Sequence, residues 1–283
     1  MPNQQKDYGS MEIEKLSKQG NDALRNEDYE KAFSCFSETL QLDPKNTDAF
    51  VFRGIARLGR GDLDGAIADW NKAIELDPNI AAAYANRGNA YQRKGELDDA
   101  MIDWSKAIQL DPQNAGVFYN RGLAYQEKQN WDKAISDYTE AIQLNPKYFQ
   151  AYNNRGRIYG QKGEWDKALG DFTEAIRISP KNFNAYSSRG EVYQCIATCP
   201  EPSIKDGSKA VDLASRACEL TQWKKRNYIG TLGAAYAETG DFAQAIIYES
   251  QAMAMEGVTE KIRVEAQQRL DLYKQMKPYR IAG

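Results

Sequence analysis

The sequence predicts an all-α solenoid of antiparallel helix hairpins, and three sets of recurring residues carry that prediction. Arginine–glycine pairs stand at Arg53-Gly54, Arg87-Gly88, Arg121-Gly122, Arg155-Gly156 and Arg189-Gly190, each 34 positions after the last. Ala66, Ala100, Ala134 and Ala168 keep the same step, and so do the aromatics Trp70, Trp104, Tyr138 and Phe172. Pro44, Pro78, Pro112, Pro146 and Pro180 close the pattern. A period of this length marks stacked supersecondary units, each burying its apolar face against the next. Such stacks bind partners and seldom enclose a reaction centre.

In chain order, residues 1–10 are polar, lack the pattern of a signal peptide, and read as a disordered lead-in. Residues 11–259 divide into about seven units: 13–46, 47–80, 81–114, 115–148, 149–182, an irregular 183–225, and 226–259. The unit 81–114 represents the rest. Ala83, Tyr84, Gly88 and Tyr91, spaced at three and four, give a first helix one apolar face. Gly95 stops that helix, because glycine adopts the left-handed cap conformation. A second helix runs from about Asp98 to Leu110, with Ala100, Met101, Trp104, Ala107 and Ile108 as its stripe. Asp111-Pro112 ends it, since the residue before proline avoids helical geometry. Gly88 and Ala100 let the two backbones approach, while Tyr84, Tyr91 and Trp104 fill the space beside them.

The register breaks after Tyr193. Residues 195–208 stand where a short turn belongs, and Ala210, Ala214 and Ala217 resume the second-helix stripe eight residues late. This is a surface insertion stiffened by Pro200 and Pro202. Residues 260–283 supply a capping helix and tail, with Ile262, Ala266, Leu270 and Tyr273 covering the last apolar face.

The small residue of the first helix, the aromatic after it, the alanine and aromatic of the second and the terminal proline resemble the tetratricopeptide repeat (TPR) family. The likeness covers about residues 12–259. It is similar to a bacterial subgroup with Asn-Arg-Gly in the first helix, here Asn86-Arg87-Gly88, Asn120-Arg121-Gly122 and Asn154-Arg155-Gly156. Ala197–Pro200 with Ala217–Thr221 resembles an Ala-Thr-Cys-Pro insertion of some bacterial members. The resemblance implies a right-handed superhelix whose concave wall is lined by the first helices. It also puts Cys199 near Cys218, either as a thiol-lined packing contact or as a disulfide.

Composition narrows the function. Lys+Arg number 37 and Asp+Glu 40, well interspersed, and the absence of a basic stripe argues against nucleic acid. No apolar run of roughly 18 residues exists, so no membrane span is expected. Histidine is missing, which removes the commonest general base and metal ligand. Cys35, Cys195, Cys199 and Cys218 form no metal-binding pattern, so neither a cofactor, a metal nor a catalytic residue is expected. A cytoplasmic location is expected, or a periplasmic or secreted one if a leader was removed.

The candidate surface is the wall of first helices. Asn86, Asn120 and Asn154 hold equivalent places, and a ladder of carboxamides can clamp the backbone of an extended peptide. Asn89, Gln92, Tyr119, Gln126, Asn153 and Arg157 are expected beside them, with Tyr119 and Arg157 as anchors. The alternative is that duplication merely copied soluble residues. The arginine ladder is matched by Asp69, Asp103, Asp137 and Asp171, which predicts salt bridges between helices rather than an anion stripe. The clamp with which some TPR domains grip the acidic end of heat-shock chaperones is missing. Ser17 and Phe52 break one register of it, and Ala85, Gln150 and Asn154 occupy the cationic places of the other. The expected function is a non-enzymatic protein–protein interaction scaffold binding an extended peptide or partner helix in the groove. The alternative is an assembly protein acting through its convex face, its ends or the 195–208 insertion.

Overall fold

A computed structural model of the chain describes residues 2–198 and 207–279, apart from the side chains of residues 2–8 and 193–198. Among these residues every regular element is a helix. The chain divides into two compact units, residues 1–144 and 145–283. The first holds four hairpins: α1 (Pro2–Arg25) with α2 (Tyr29–Leu42), α3 (Thr47–Gly59) with α4 (Leu63–Leu76), α5 (Ala81–Lys94) with α6 (Leu97–Leu110), and α7 (Ala115–Glu127) with α8 (Trp131–Leu144). The second holds α9 (Phe149–Gln161) with α10 (Trp165–Ile178), α11 (Phe183–Thr198) with α12 (Gly207–Leu220), α13 (Arg226–Glu238) with α14 (Phe242–Ala254), and the closing helix α15 (Glu260–Lys274). Within each unit the second helix of one hairpin packs on the first helix of the next, which is solenoid stacking.

Local chemistry sets the boundaries. Asp28, Asn46, Asp62 and Asn114 accept backbone N–H bonds from the turn that follows, satisfying donors that a helix start leaves open. Asp43, Asp77 and Asp111, each before a proline, are extended, at φ −135°, −141° and −133°. The tight turn inside each regular hairpin needs one left-handed residue. Gly61, Gly95 and Gly163 supply it at φ +83°, +81° and +73°, whereas Glu27 and Gln129 adopt it at +58° and +56° despite their side chains. At the N-terminus the structure differs from the expected lead-in: α1 begins at Pro2, so residues 2–10 are helical. Proline suits a first helical position, where no N–H is required.

The four hairpins from α3 to α10 are each centred on one aromatic. Trp70, Trp104, Tyr138 and Phe172 are fully buried against Gly54, Gly88, Gly122 and Gly156. A Cβ on Gly88 would stand 2.8 Å from Trp104 Nε1 and 3.2 Å from the Ala100 carbonyl, so glycine admits both the ring and the neighbouring helix. The polar ends of the first three rings are satisfied locally. Trp70 Nε1 donates to the Val51 carbonyl at 3.1 Å, Trp104 Nε1 to Asn89 Oδ1 at 3.0 Å, and the Tyr138 hydroxyl to Gln126 Oε1 at 2.8 Å.

In the irregular unit α12 starts 24 residues after α11 (207 − 183), against 16 for α9 and α10 (165 − 149), matching the eight-residue offset. Most of the insertion, including Cys199, lies outside the described residues, as does the Cys195 side chain. Cys218 is buried with a free thiol, which burial pushes up to about 11, and Cys35 is likewise buried and free. At the far end α15 packs on α14. There Arg269 donates to Glu249 Oε1 from Nε at 3.0 Å and Nη2 at 2.7 Å, pairing an otherwise sealed carboxylate.

Candidate functional site

The arginine ladder is structural. Arg53, Arg87, Arg121 and Arg155 each make a two-pronged pair with the aspartate 16 residues on, at 2.6–2.9 Å, joining the helices of one hairpin. Arg87 and Arg121 also reach back 16 residues, from Nη1 to Asn71 Oδ1 at 2.6 Å and Ser105 Oγ at 3.1 Å. The hydrogen bonds to Asp103 and Asp137 raise both guanidinium pKa values against the effect of burial. Among the described residues Arg189 keeps only the backward contact, to Thr173 Oγ1 at 3.2 Å, and its Nε is buried without a partner there. These cations hold the first helices at a fixed rotation and are not open to an anionic ligand.

In the first unit that rotation brings the candidate carboxamides of α5 and α7 together. Asn120 Nδ2 donates to Asn89 Oδ1 at 2.9 Å, and that oxygen also takes the Trp104 indole N–H. Asn89 therefore ties α7 to α5 and orients Asn120. Asn86, three residues before it, makes no hydrogen bond among the described residues and is half-buried. Tyr119 lies beside the buried Tyr138, with ring centroids 5.8 Å apart.

In the second unit Asn153, Asn154 and Arg157 of α9 line a cleft of 340 Å³ that is almost wholly polar. Asn184, Ser187, Ser188 and Glu191 of α11 and Asn227 and Tyr228 of α13 complete it, so three successive first helices build its walls. Tyr228 donates its hydroxyl to Asn184 Oδ1. Asn153 Oδ1 is buried without a partner. Glu191 Oε1 accepts from Ser187 Oγ at 3.2 Å and Thr231 Oγ1 at 3.4 Å. Its side chain keeps an open surface along the cleft, yet the surrounding walls still raise its pKa. The Ser187 bond, the Arg157 charge and the Thr231 bond offset that only in part. Among the described residues Arg157 makes no hydrogen bond or ion pair of its own.

The sequence reading had not singled out Ser187, Glu191 or Asn227. A signal for Glu191 was present: Ile55, Asn89, Leu123, Arg157 and Glu191 are successive equivalents, and this column changes chemistry at every step. Copying by duplication accounts for a uniform column and not for this one. Among the described residues no group of histidine, cysteine, aspartate and glutamate could hold a metal, and no helix is long and apolar enough to cross a membrane.

Family models match this chain. One described as TPR repeat covers residues 54–95, 93–129 and 156–194, and two described as tetratricopeptide repeat cover residues 115–148 and 137–170. No curated protein matches the chain. Among solved structures, MamA is similar at 30% identity, with a TM-score of 0.54 over 60% of this chain and 95% of that one. YrrB, described as a TPR protein with an unusual peptide-binding site, is similar at 22% identity and a TM-score of 0.59, over 69% of this chain and 95% of that one. A tetratricopeptide repeat protein from Parabacteroides merdae is similar at 19% identity and a TM-score of 0.58, over 93% and 99%. The last two likenesses establish the fold alone. Together the repeat models run without a gap over residues 54–194, one of them coinciding with the α7–α8 hairpin, and the chain belongs to the tetratricopeptide repeat family.

Proposed function

We propose that this chain is a non-enzymatic scaffold that binds an extended peptide on the faces of its first helices. Proteins of this family mediate protein–protein interaction, and one fold relative is described by its peptide-binding site. The observation that carries the reading is the polar cleft of α9, α11 and α13. It offers carboxamides from Asn153, Asn154, Asn184 and Asn227 where peptide N–H and C=O groups need partners. In the first unit, Asn86 and the Asn89-held Asn120 present the same groups, with Tyr119 beside them. Arg157 serves as the cationic anchor of the second unit. The Asn-Arg-Gly triplets and the insertion at 197–200 support a place in the bacterial subgroup, and the free buried thiols of Cys35 and Cys218 support a reducing, cytoplasmic location.

The test is recovery of partners by immobilised full-length chain, compared with Asn120→Ala and Asn154→Ala variants of unchanged circular dichroism. Partners held by the wild type and lost by the variants support the reading. Equal recovery by all three excludes the carboxamide ladder.

A further inference from the structure

Next to the polar cleft, and sharing Arg157, Ser188 and Glu191 with it, lies a second hollow of 310 Å³. Its floor is Trp165 and Phe172 of α10, and its sides are Gly160 of α9 and Val192 of α11. The hollow exists because two parts present in earlier repeats are missing. At the place of Gly160 the two preceding repeats carry Gln92 and Gln126, and at the place of Phe172 they carry Trp104 and Tyr138. There the polar end of the aromatic is capped by a first-helix side chain, Gln126 in one repeat and Asn89 in the other. Phe172 has no polar end, Gly160 has no side chain, and Arg157 replaces Asn89, so the side-chain cap of the earlier repeats is missing here, although the Phe172 ring itself stays buried. A side chain at position 160 would fit without displacing backbone, since a Cβ there meets only Val192 Cγ2 at an ordinary 3.5 Å.

We propose that this hollow is a specificity pocket for one large apolar side chain of an extended peptide, such as leucine or phenylalanine, with the flanking main chain held between Arg157 and Glu191. The inference rests on the peptide-binding reading above and adds the side chain the site selects. The charges at the mouth match a peptide bond. The unpaired Arg157 guanidinium donates to a carbonyl, and Glu191 Oε2, left open when Oε1 takes Ser187 and Thr231, accepts an N–H. One cation and one anion, coupled but not bonded, select against a net charge on the ligand and suit an uncharged, dipolar main chain. The crowding that raises the Glu191 pKa also makes an added N–H donor there favourable.

The experiment pans a display library of random dodecapeptides on the full-length chain. Affinities are then measured for an enriched peptide and for the same peptide with its apolar residue replaced by alanine. The proposal expects one position fixed as a large apolar residue, with the alanine peptide bound on the order of tenfold or more weakly. Gly160→Gln, which restores the side chain of the two preceding repeats, should erase that difference and leave the alanine peptide's affinity unchanged. Enriched peptides without an apolar position, or a preference that survives Gly160→Gln, overturn the pocket while leaving the peptide-binding reading intact. Enriched peptides that bind equally to Asn153→Ala and Asn154→Ala variants, or no enrichment at all, overturn the underlying reading and the pocket with it.

Discussion

Replacing Arg155 by alanine strands a carboxylate. Asp171 has 8% of its side chain exposed and loses both prongs of its pair, from Nε at 2.8 Å and Nη2 at 2.7 Å. Removing one partner of a buried, two-pronged pair costs roughly 3–5 kcal/mol. Arg155 also stacks over Tyr152 and Tyr159, with its carbon 5.8 Å from each ring centroid, so its loss removes packing as well. We expect about 3–4 kcal/mol at neutral pH. Asp171→Asn should cost less, about 2 kcal/mol, because the 15% exposed guanidinium left behind still reaches water and both rings. The double variant should cost less than the sum of the two by at least ~1.5 kcal/mol.

The pH dependence has a definite sign. Burial already raises the Asp171 pKa in the wild type, with Arg155 opposing the rise. A carboxyl with a raised folded-state pKa binds more protons folded than unfolded between its two pKa values, so stability falls as pH rises through that interval. Without Arg155 the interval widens upward. The Arg155→Ala penalty should therefore be largest at pH 7–8 and shrink towards pH 5. The assay is hydrogen exchange of the α9 and α10 amides at both pH values, because stacked repeats need not unfold in one step. A penalty below ~1 kcal/mol, one that does not change with pH, or an additive double variant would refute the account of this pair.

Further expectations follow from other contacts. Arg269→Ala leaves Glu249, 1% exposed and with Oε2 already unpartnered, as a bare buried anion; it should cost about 3 kcal/mol and free α15, seen as faster proteolysis of the C-terminal helix. Gln129→Gly relieves a left-handed residue where Gly61, Gly95 and Gly163 stand in other repeats, and should stabilise the chain by about 0.5–1 kcal/mol in denaturant titration. Burial pushes the Cys218 pKa up to about 11, so this thiol should form thiolate much less readily than an exposed cysteine. Iodoacetamide at pH 8 should thus spare Cys218 in the folded chain, and rapid native labelling of that residue would contradict its burial.

Much of this was legible because a repeat states each rule several times. Asp-Pro fixed the end of the second helix, and the Gly88 and Trp104 columns fixed how a hairpin closes. The charge match of Arg87 with Asp103, repeated down the chain, marks a salt-bridge ladder in the sequence itself. Sequence failed where information was local and unrepeated. The helical start at Pro2 was missed because its polar residues carry no period. Asn89 read as a free wall residue because nothing in the sequence says that its oxygen receives the Trp104 indole. The hollow beneath Arg157 is invisible in the chain taken alone, since it arises from two absences, a ring without a polar end and a helix position without a side chain.

The central claim is that the first helices form the working surface, and hydrogen exchange of the full-length chain with and without an enriched peptide tests it most directly. The account predicts slowed exchange on α9, α11 and α13 in the second unit, with α12 and α14 unchanged. Protection confined to the second helices, to the chain ends or to residues 195–208 would contradict it and favour a role in assembly.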